Sequence, residues 1–132
     1  MAKVEQVTLF QCEIPKMVGS LADALGKIAK AGLNGRILAA WEETTRGVLL
    51  IVVNNAEKAE QLLRDWTAVR RQPALAVTMK NGRGTGAKMA KALAGAGINI
   101  TMMQATATGS GNYLTLLGTS DNAAAAAVLK KV

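Results

Sequence analysis

The chain has 132 residues, half of them apolar and 19% charged, with a formal net charge of +7. That composition calls for a packed core rather than disorder, and no apolar run reaches the ~18 residues that a membrane-spanning helix needs. A single cysteine, Cys12, excludes an intrachain disulfide, and the absence of histidine excludes His-based acid–base chemistry and most zinc sites.

The first segment, "VTLFQCEI" (7–14), alternates apolar and polar residues as a half-buried strand does, which places Cys12 in the packing. No signal-peptide segment precedes it, and a cytoplasmic location is expected. The turn "KMVG" (16–19) follows. A helix is predicted from Ser20, with Asp23 in a capping-box position and an apolar stripe of Leu21, Leu25, Ile28 and Ala29. Gly32 sits where that helix stops. "GRILAAWEE" (35–43) and "GVLLIVV" (47–53) read as two strands joined through "TTR". A second helix begins near Asn55 and buries Ala59, Leu62, Leu63 and Trp66. The link "TAVRRQP" (67–73) has room for one short strand more.

The second half runs in the same order. "ALAVTMK" (74–80) is a strand, and Gly82, Gly84 and Gly86 punctuate the turn after it. The next helix carries Ala90, Leu93 and Ala94 on its apolar side and stops at Gly97. "NITMMQATA" (99–107) and "NYLTLLG" (112–118) are strands joined by "TGSG", and a last helix starts near Ser120 or Asp121. Lys130 and Lys131 oppose its dipole. The halves are copies: at a shift of 65 residues, Ala29, Ala31, Gly32 and Asn34 fall on Ala94, Ala96, Gly97 and Asn99, while Phe10, Cys12 and Ile14 fall on Leu75, Val77 and Met79. The expected domains are residues 1–68 and 69–132, each a βαββα unit of the α+β class with its helices on one sheet face. A fourth strand would complete βαββαβ. In the second copy it is missing, because the chain ends at Val132 just after the helix, so its sheet edge is expected to be covered, for instance by another chain.

Charge divides unevenly. Residues 1–68 hold eight basic and eight acidic side chains, whereas residues 69–132 hold eight basic ones and a single acid, Asp121. The excess suits solubility and docking against a more acidic surface, or else an anionic ligand or nucleic acid. Lys88 and Lys91 share a helix face, and with Lys80 and Arg83 they predict a positive field at the glycine turn that favours a carboxylate or phosphate. The turn itself is no phosphate loop. Lys88 is followed by Met89, which breaks the Walker pattern, and Ala87 breaks G-x-G-x-x-G. What remains is a set of amides between a strand end and a helix start, suited to an anion, or simply a tight turn. Glu42 and Glu43 point to opposite faces of a strand and make no catalytic pair. No metal site and no cofactor is called for.

"NGRG" (81–84) with "ALAGAGINI" (92–100), and more weakly "KMVG" with "IAKAGLNGRI" (28–37), resemble the ACT domain family, small regulatory modules that bind amino acids. The likeness covers nearly the whole chain and is closest to short proteins made of two ACT domains. It implies two tandem ferredoxin-like repeats, no catalysis, and effector binding between paired domains. By the family's pattern, the ligand would be an amino acid or other small anionic or zwitterionic molecule held by Asn81, Gly82, Arg83 and Gly84 of one turn, by Lys16 and Gly19 of the other, and by Asn34 and Asn99. Asn81 would face Asn34, and Asn99 would face the Lys16–Gly19 turn. Lys16 departs from the pattern, Val18 and Arg83 replace the turn proline, and Gly86 replaces an apolar helix residue. Asparagine supplies both an acceptor for an amino group and a donor for a carboxylate. A structural role is the alternative for Asn34 and Asn99, as αL residues or local caps. Self-association as a homodimer or larger, and a regulated metabolic enzyme as partner, are further expectations; a membrane is not. Three other readings compete. A nucleic-acid-binding module lacks the paired aromatics such sheets use, since Tyr113 stands alone in the second copy and Phe10 aligns with a core position. A small phosphatase would rest on Arg83 and Asn81. The last is a purely structural dimerisation element.

Overall fold

The computed structural model describes residues 2–132. The elements are β1 (Lys3–Ile14), α1 (Ser20–Lys30), β2 (Gly35–Glu42), β3 (Gly47–Val53), α2 (Ala56–Trp66), β4 (Val69–Lys80), α3 (Thr85–Gly95), β5 (Ile100–Ala107), β6 (Asn112–Thr119) and α4 (Asn122–Leu129). They form two compact units. The first is Thr8–Gln72, and the second is Pro73–Val132 together with the N-terminal residues through Val7. Each is a ferredoxin-like βαββαβ unit, with strand order β2-β3-β1-β4 in the first and β5-β6-β4-β1 in the second.

The missing strand of the second copy is therefore present, and this corrects the expectation of a second chain at that edge. Strands β1 and β4 are each 12 residues long, longer than their alternating cores implied. The start of β1 supplies the fourth strand of the second unit, and the start of β4 that of the first. Side chains hold these ends in place. Ala2 and Val4 pack against the cluster of Leu75, Val77, Leu93 and Leu117, and Val69 packs against the cluster of Phe10, Cys12, Leu49 and Leu63.

Within the first unit, Phe10, Cys12 and Ile14 of β1 pair with Ile51, Leu49 and Gly47 of β3. In the second, Leu75, Val77 and Met79 of β4 pair with Leu117, Thr115 and Tyr113 of β6. Up to these strands the copies match at 65 residues. Beyond them the match moves to 66, because the β5–β6 hairpin is one residue longer. Cys12 is fully buried, and burial pushes its thiol up to about 11 from 9.0, which makes it a packing residue.

Two helix details differ from expectation. Ser20 is the first residue of α1 and is buried, and the N-cap is Gly19 at φ +89°, without a side-chain cap. Starting there turns the helix so that Ser20, Ala24 and Ile28 face the sheet while Leu21 and Ala29 are exposed. In α3 the buried row is Thr85, Met89 and Leu93, and Ala94 is exposed. Asn55 and Asp121 do cap α2 and α4, accepting from the amides of Lys58 at 3.1 Å and Ala124 at 3.0 Å.

Candidate functional site

The turn from β4 into α3 is built by backbone and Thr85. The Asn81 amide donates to Gly111 O at 2.9 Å, anchoring the turn to the β5–β6 hairpin. The Gly82 carbonyl accepts from the Thr85 amide at 3.2 Å and from its hydroxyl at 2.9 Å. Gly84, at φ +82°, reverses the chain, and its carbonyl accepts from the Lys88 amide at 2.8 Å. The helix then opens with amides that helical geometry leaves unpaired. Asn81, Gly82, Arg83 and Gly84 are all exposed, and the Asn81 and Arg83 side chains make no hydrogen bond among the described residues.

The equivalent turn of the first unit is closed off. Lys16 donates to Thr44 O at 3.1 Å and lies 3.9 Å from a Glu42 carboxylate oxygen, so its ammonium is held against the β2–β3 hairpin. Two hollows flank this turn. One, of about 450 Å³, lies between Pro15, Val18, Asp23, Lys27 and Trp66, with the Lys27 ammonium 5.7 Å above the indole. The other, of about 200 Å³, lies between Lys16, Leu21, Trp41, Glu42 and Gly47.

The second unit fills the counterpart of the smaller hollow. Tyr113 stands on β6 opposite Met79, where the first unit has Gly47 opposite Ile14. A Cβ at Gly86 would lie 3.0 Å from the Tyr113 hydroxyl oxygen and 3.7 Å from Met103 Cε. Leu21 of α1 matches Gly86 at the 65-residue shift. A leucine on the helix over a glycine on the strand has thus become a glycine on the helix over a tyrosine on the strand. Sequence reasoning had noticed Gly86 as a departure but had missed Tyr113, whose partner is 27 positions away (113 − 86). The Tyr113 hydroxyl reaches the first turn of α3 and has no protein hydrogen-bond partner among the described residues.

Asn34 and Asn99 occupy matching places. The Asn34 amide donates to Asn54 Oδ1 at 3.0 Å, and that of Asn99 donates to Ser120 Oγ at 3.0 Å, with the Ser120 amide returning to Asn99 O at 2.9 Å. Neither asparagine has positive φ, a role taken by Gly32 and Gly97. Neither side-chain amide caps the backbone. The structural explanation for these two residues, αL geometry or capping, is not realised. Each lies beyond the C-terminal end of its helix, and the turn lies at the N-terminal end. Eleven helical residues span ~16 Å at ~1.5 Å each, so no unit brings its own turn and its own asparagine together.

No group of His, Cys, Asp and Glu that could hold a metal exists among the described residues, and no helix there is long and apolar enough to cross a membrane. No family model and no curated protein matches the sequence. Solved structures do. A protein from Bacteroides thetaiotaomicron is 22% identical with a TM-score of 0.87, the match covering 97% of this chain and 89% of that one. The ligand-free regulatory subunit of aspartate kinase from Thermus thermophilus is 18% identical with a TM-score of 0.74, over 98% of this chain and 93% of that one. The fold is the one these structures share, two ferredoxin-like units in tandem. In Escherichia coli aspartokinase III in complex with lysine and aspartate, the match is 15% identical with a TM-score of 0.61, and spans 98% of this chain but 31% of the enzyme. At such identities the likeness is one of architecture, and the shared fold by itself names no ligand.

Proposed function

We propose that this chain is a regulatory protein without catalytic activity that binds a small molecule, most simply an amino acid. The observation that carries the reading is the set of three exposed asparagines, Asn81, Asn34 and Asn99, whose side-chain amides make no hydrogen bond among the described residues and which have no positive φ to explain them. A primary amide offers one acceptor and two donors, which match an α-ammonium and an α-carboxylate. The turn at Asn81–Gly84 adds unpaired amides at the start of α3 and the Arg83 guanidinium for the carboxylate. The ligand is gripped at that turn. Lys16 and Gly19 form the poorer counterpart, because Lys16 is already engaged. The regulatory aspartate kinase subunits of the same fold, and the aspartokinase crystallised with lysine and aspartate, support an amino acid as ligand class, self-association, and a metabolic enzyme as the regulated partner.

A thermal-shift screen of the twenty amino acids and common nucleotides tests this. A ligand that binds the native state raises apparent stability by about 2.7 kcal/mol at a hundredfold excess over Kd. Stabilisation by one or a few amino acids that is lost in Asn81→Ala supports the reading. No stabilisation by any amino acid, or stabilisation indifferent to Asn81, overturns it.

A further inference from the structure

We propose that the basic end of the second unit is a docking surface for an acidic face of a protein partner, a role beyond ligand binding at the turn, with which it shares Arg83. Its topology gathers the charge. Strands β4 and β6 are antiparallel, each is followed by a helix that runs back along the sheet, and α3 and α4 pack together. The C-terminal end of α4 therefore lies at the end of the unit where α3 begins. Lys80, Arg83, Lys88, Lys130 and Lys131 meet there, all exposed, with Lys91 one turn further along α3.

None of these six has a carboxylate partner among the described residues. The first unit treats its cations differently: Arg46 pairs with Glu13 and Glu43, Arg64 with Glu60, and Arg71 with Glu57 and Glu60. The only acid in Pro73–Val132, Asp121, has its carboxylate on the Ala124 amide at the opposite end of α4. Helix stability does not explain the placement on α3. Helices α1 and α2 carry an acid in the first turn and a base in the last, as the helix dipole favours. Helix α3 has neither; Arg83 precedes its N-cap and Lys88 stands one turn in, where the dipole opposes a cation. No carboxylate among the described residues pairs with these cations, and an external anion relieves their repulsion.

The extent of the patch separates a macromolecule from a small ligand. From Gly84 to Lys91 is ~10 Å along the helix, and α4 lies ~8–10 Å further across. One ligand carboxylate meets a fraction of that surface. A protein face suits it better than nucleic acid. Five of the six cations are lysines, without the planar fork that guanidinium offers phosphates. The exposed residue between Arg83 and Lys88 on the helix is Ala87, small and apolar, which permits close packing and gives bases nothing to stack on.

The test measures binding of the full chain to fluorescent poly-L-glutamate, and to duplex DNA of equal charge, at physiological ionic strength. Paired variants remove the same charge in different places: K88A/K91A and K130A/K131A in the patch, K58A/R70A outside it. Each patch variant is expected to weaken polyglutamate binding about three- to tenfold, and the control less than about twofold, for lysines contributing a few tenths to one kcal/mol each. Equal losses in all three variants would reduce the effect to net charge and overturn the proposal. So would tighter binding of DNA through the same lysines, or no binding of polyglutamate. Sedimentation of the patch variants closes the remaining route: if they dissociate a self-associated chain, the occupant is a second copy and not an acidic partner.

Discussion

The two units share a fold and differ at equivalent positions in three ways. At the turn, the first unit ties down Lys16 and leaves a hollow of about 200 Å³ over Gly47, whereas the second leaves Asn81 free and fills that space with Tyr113. In the sheet, the place of fully buried Leu49 is taken by fully buried Thr115, whose hydroxyl has no partner. On the surface, the first unit ties Lys16, Arg46, Arg64 and Arg71 to carboxylates, whereas no cation of Pro73–Val132 has a carboxylate partner among the described residues. Duplication has kept the backbone and changed the side chains at equivalent places.

The largest expected effect sets the two turns against each other. With the amino acid that stabilises the chain best, Asn81→Ala is expected to weaken affinity roughly tenfold to a hundredfold, the loss of a hydrogen bond to a charged group of ~1.5–3 kcal/mol. Lys16→Ala is expected to change it by less than about threefold. Calorimetry on both variants decides, and equal losses would mean that the turns are equivalent.

Backbone strain should instead treat the units alike. Gly19 and Gly84 both hold positive φ, and an added Cβ at either would meet nothing within 4 Å, so the penalty is torsional only. Gly19→Ala and Gly84→Ala are each expected to lower the unfolding free energy by about 1–2 kcal/mol in urea titrations. A difference well beyond that range would show that one turn is held open by other forces.

Thr115→Val tests the sheet difference. Removing a buried hydroxyl that has no partner removes an uncompensated desolvation cost, so stability is expected to rise by about 1 kcal/mol. A loss of stability would show that the hydroxyl has a partner, such as an internal water.

The smallest effect is electrostatic and confined to the first unit. The hydrogen bond from Arg46, then that from Trp41, holds the Glu43 carboxyl below its ordinary 4.5, and hydrogen bonds from Arg64 and Arg71 do the same for Glu60. A depressed folded pKa gives stability that is present above the unfolded value and is lost as pH falls through the folded one. Acidification below 4.5 should therefore speed amide exchange around Glu43 and Glu60 before it touches the second unit. Simultaneous loosening of both units would show that these pairs add nothing.

Much of this fold was legible because it is local. Alternation at period two marked the strands, the glycines and Asn55 and Asp121 marked the ends, and the 65-residue repeat tied the copies together. Pairing across the chain was half legible. The link at 67–73 was expected to offer the first copy a last short strand, and the start of β4 does so, whereas "KVEQV" at 3–7 is short and polar, and nothing in its own pattern names the sheet that it completes. The orientation of α1 was misread because Leu21 outranks Ser20 and Ala24 in hydrophobicity, while the start at Gly19 decides which row faces inward. Asn34 and Asn99 could be matched from the repeat, and Asn81 only from the family resemblance, since its counterpart in the repeat is Lys16. The partnership of Gly86 with Tyr113 could not, since it appears only when β6 lies under α3.

The exchange of strand ends also sets an order of events during synthesis. Thr8–Gln72 contains every strand of its own sheet and can close as it leaves the ribosome. The second unit must wait for α4 and then recruit residues 2–7, which are made before the whole of the first unit. Severing the chain between Gln72 and Pro73 would accordingly yield unlike halves: one with a finished sheet, and one with a bare edge that only the other half's leading residues can cover.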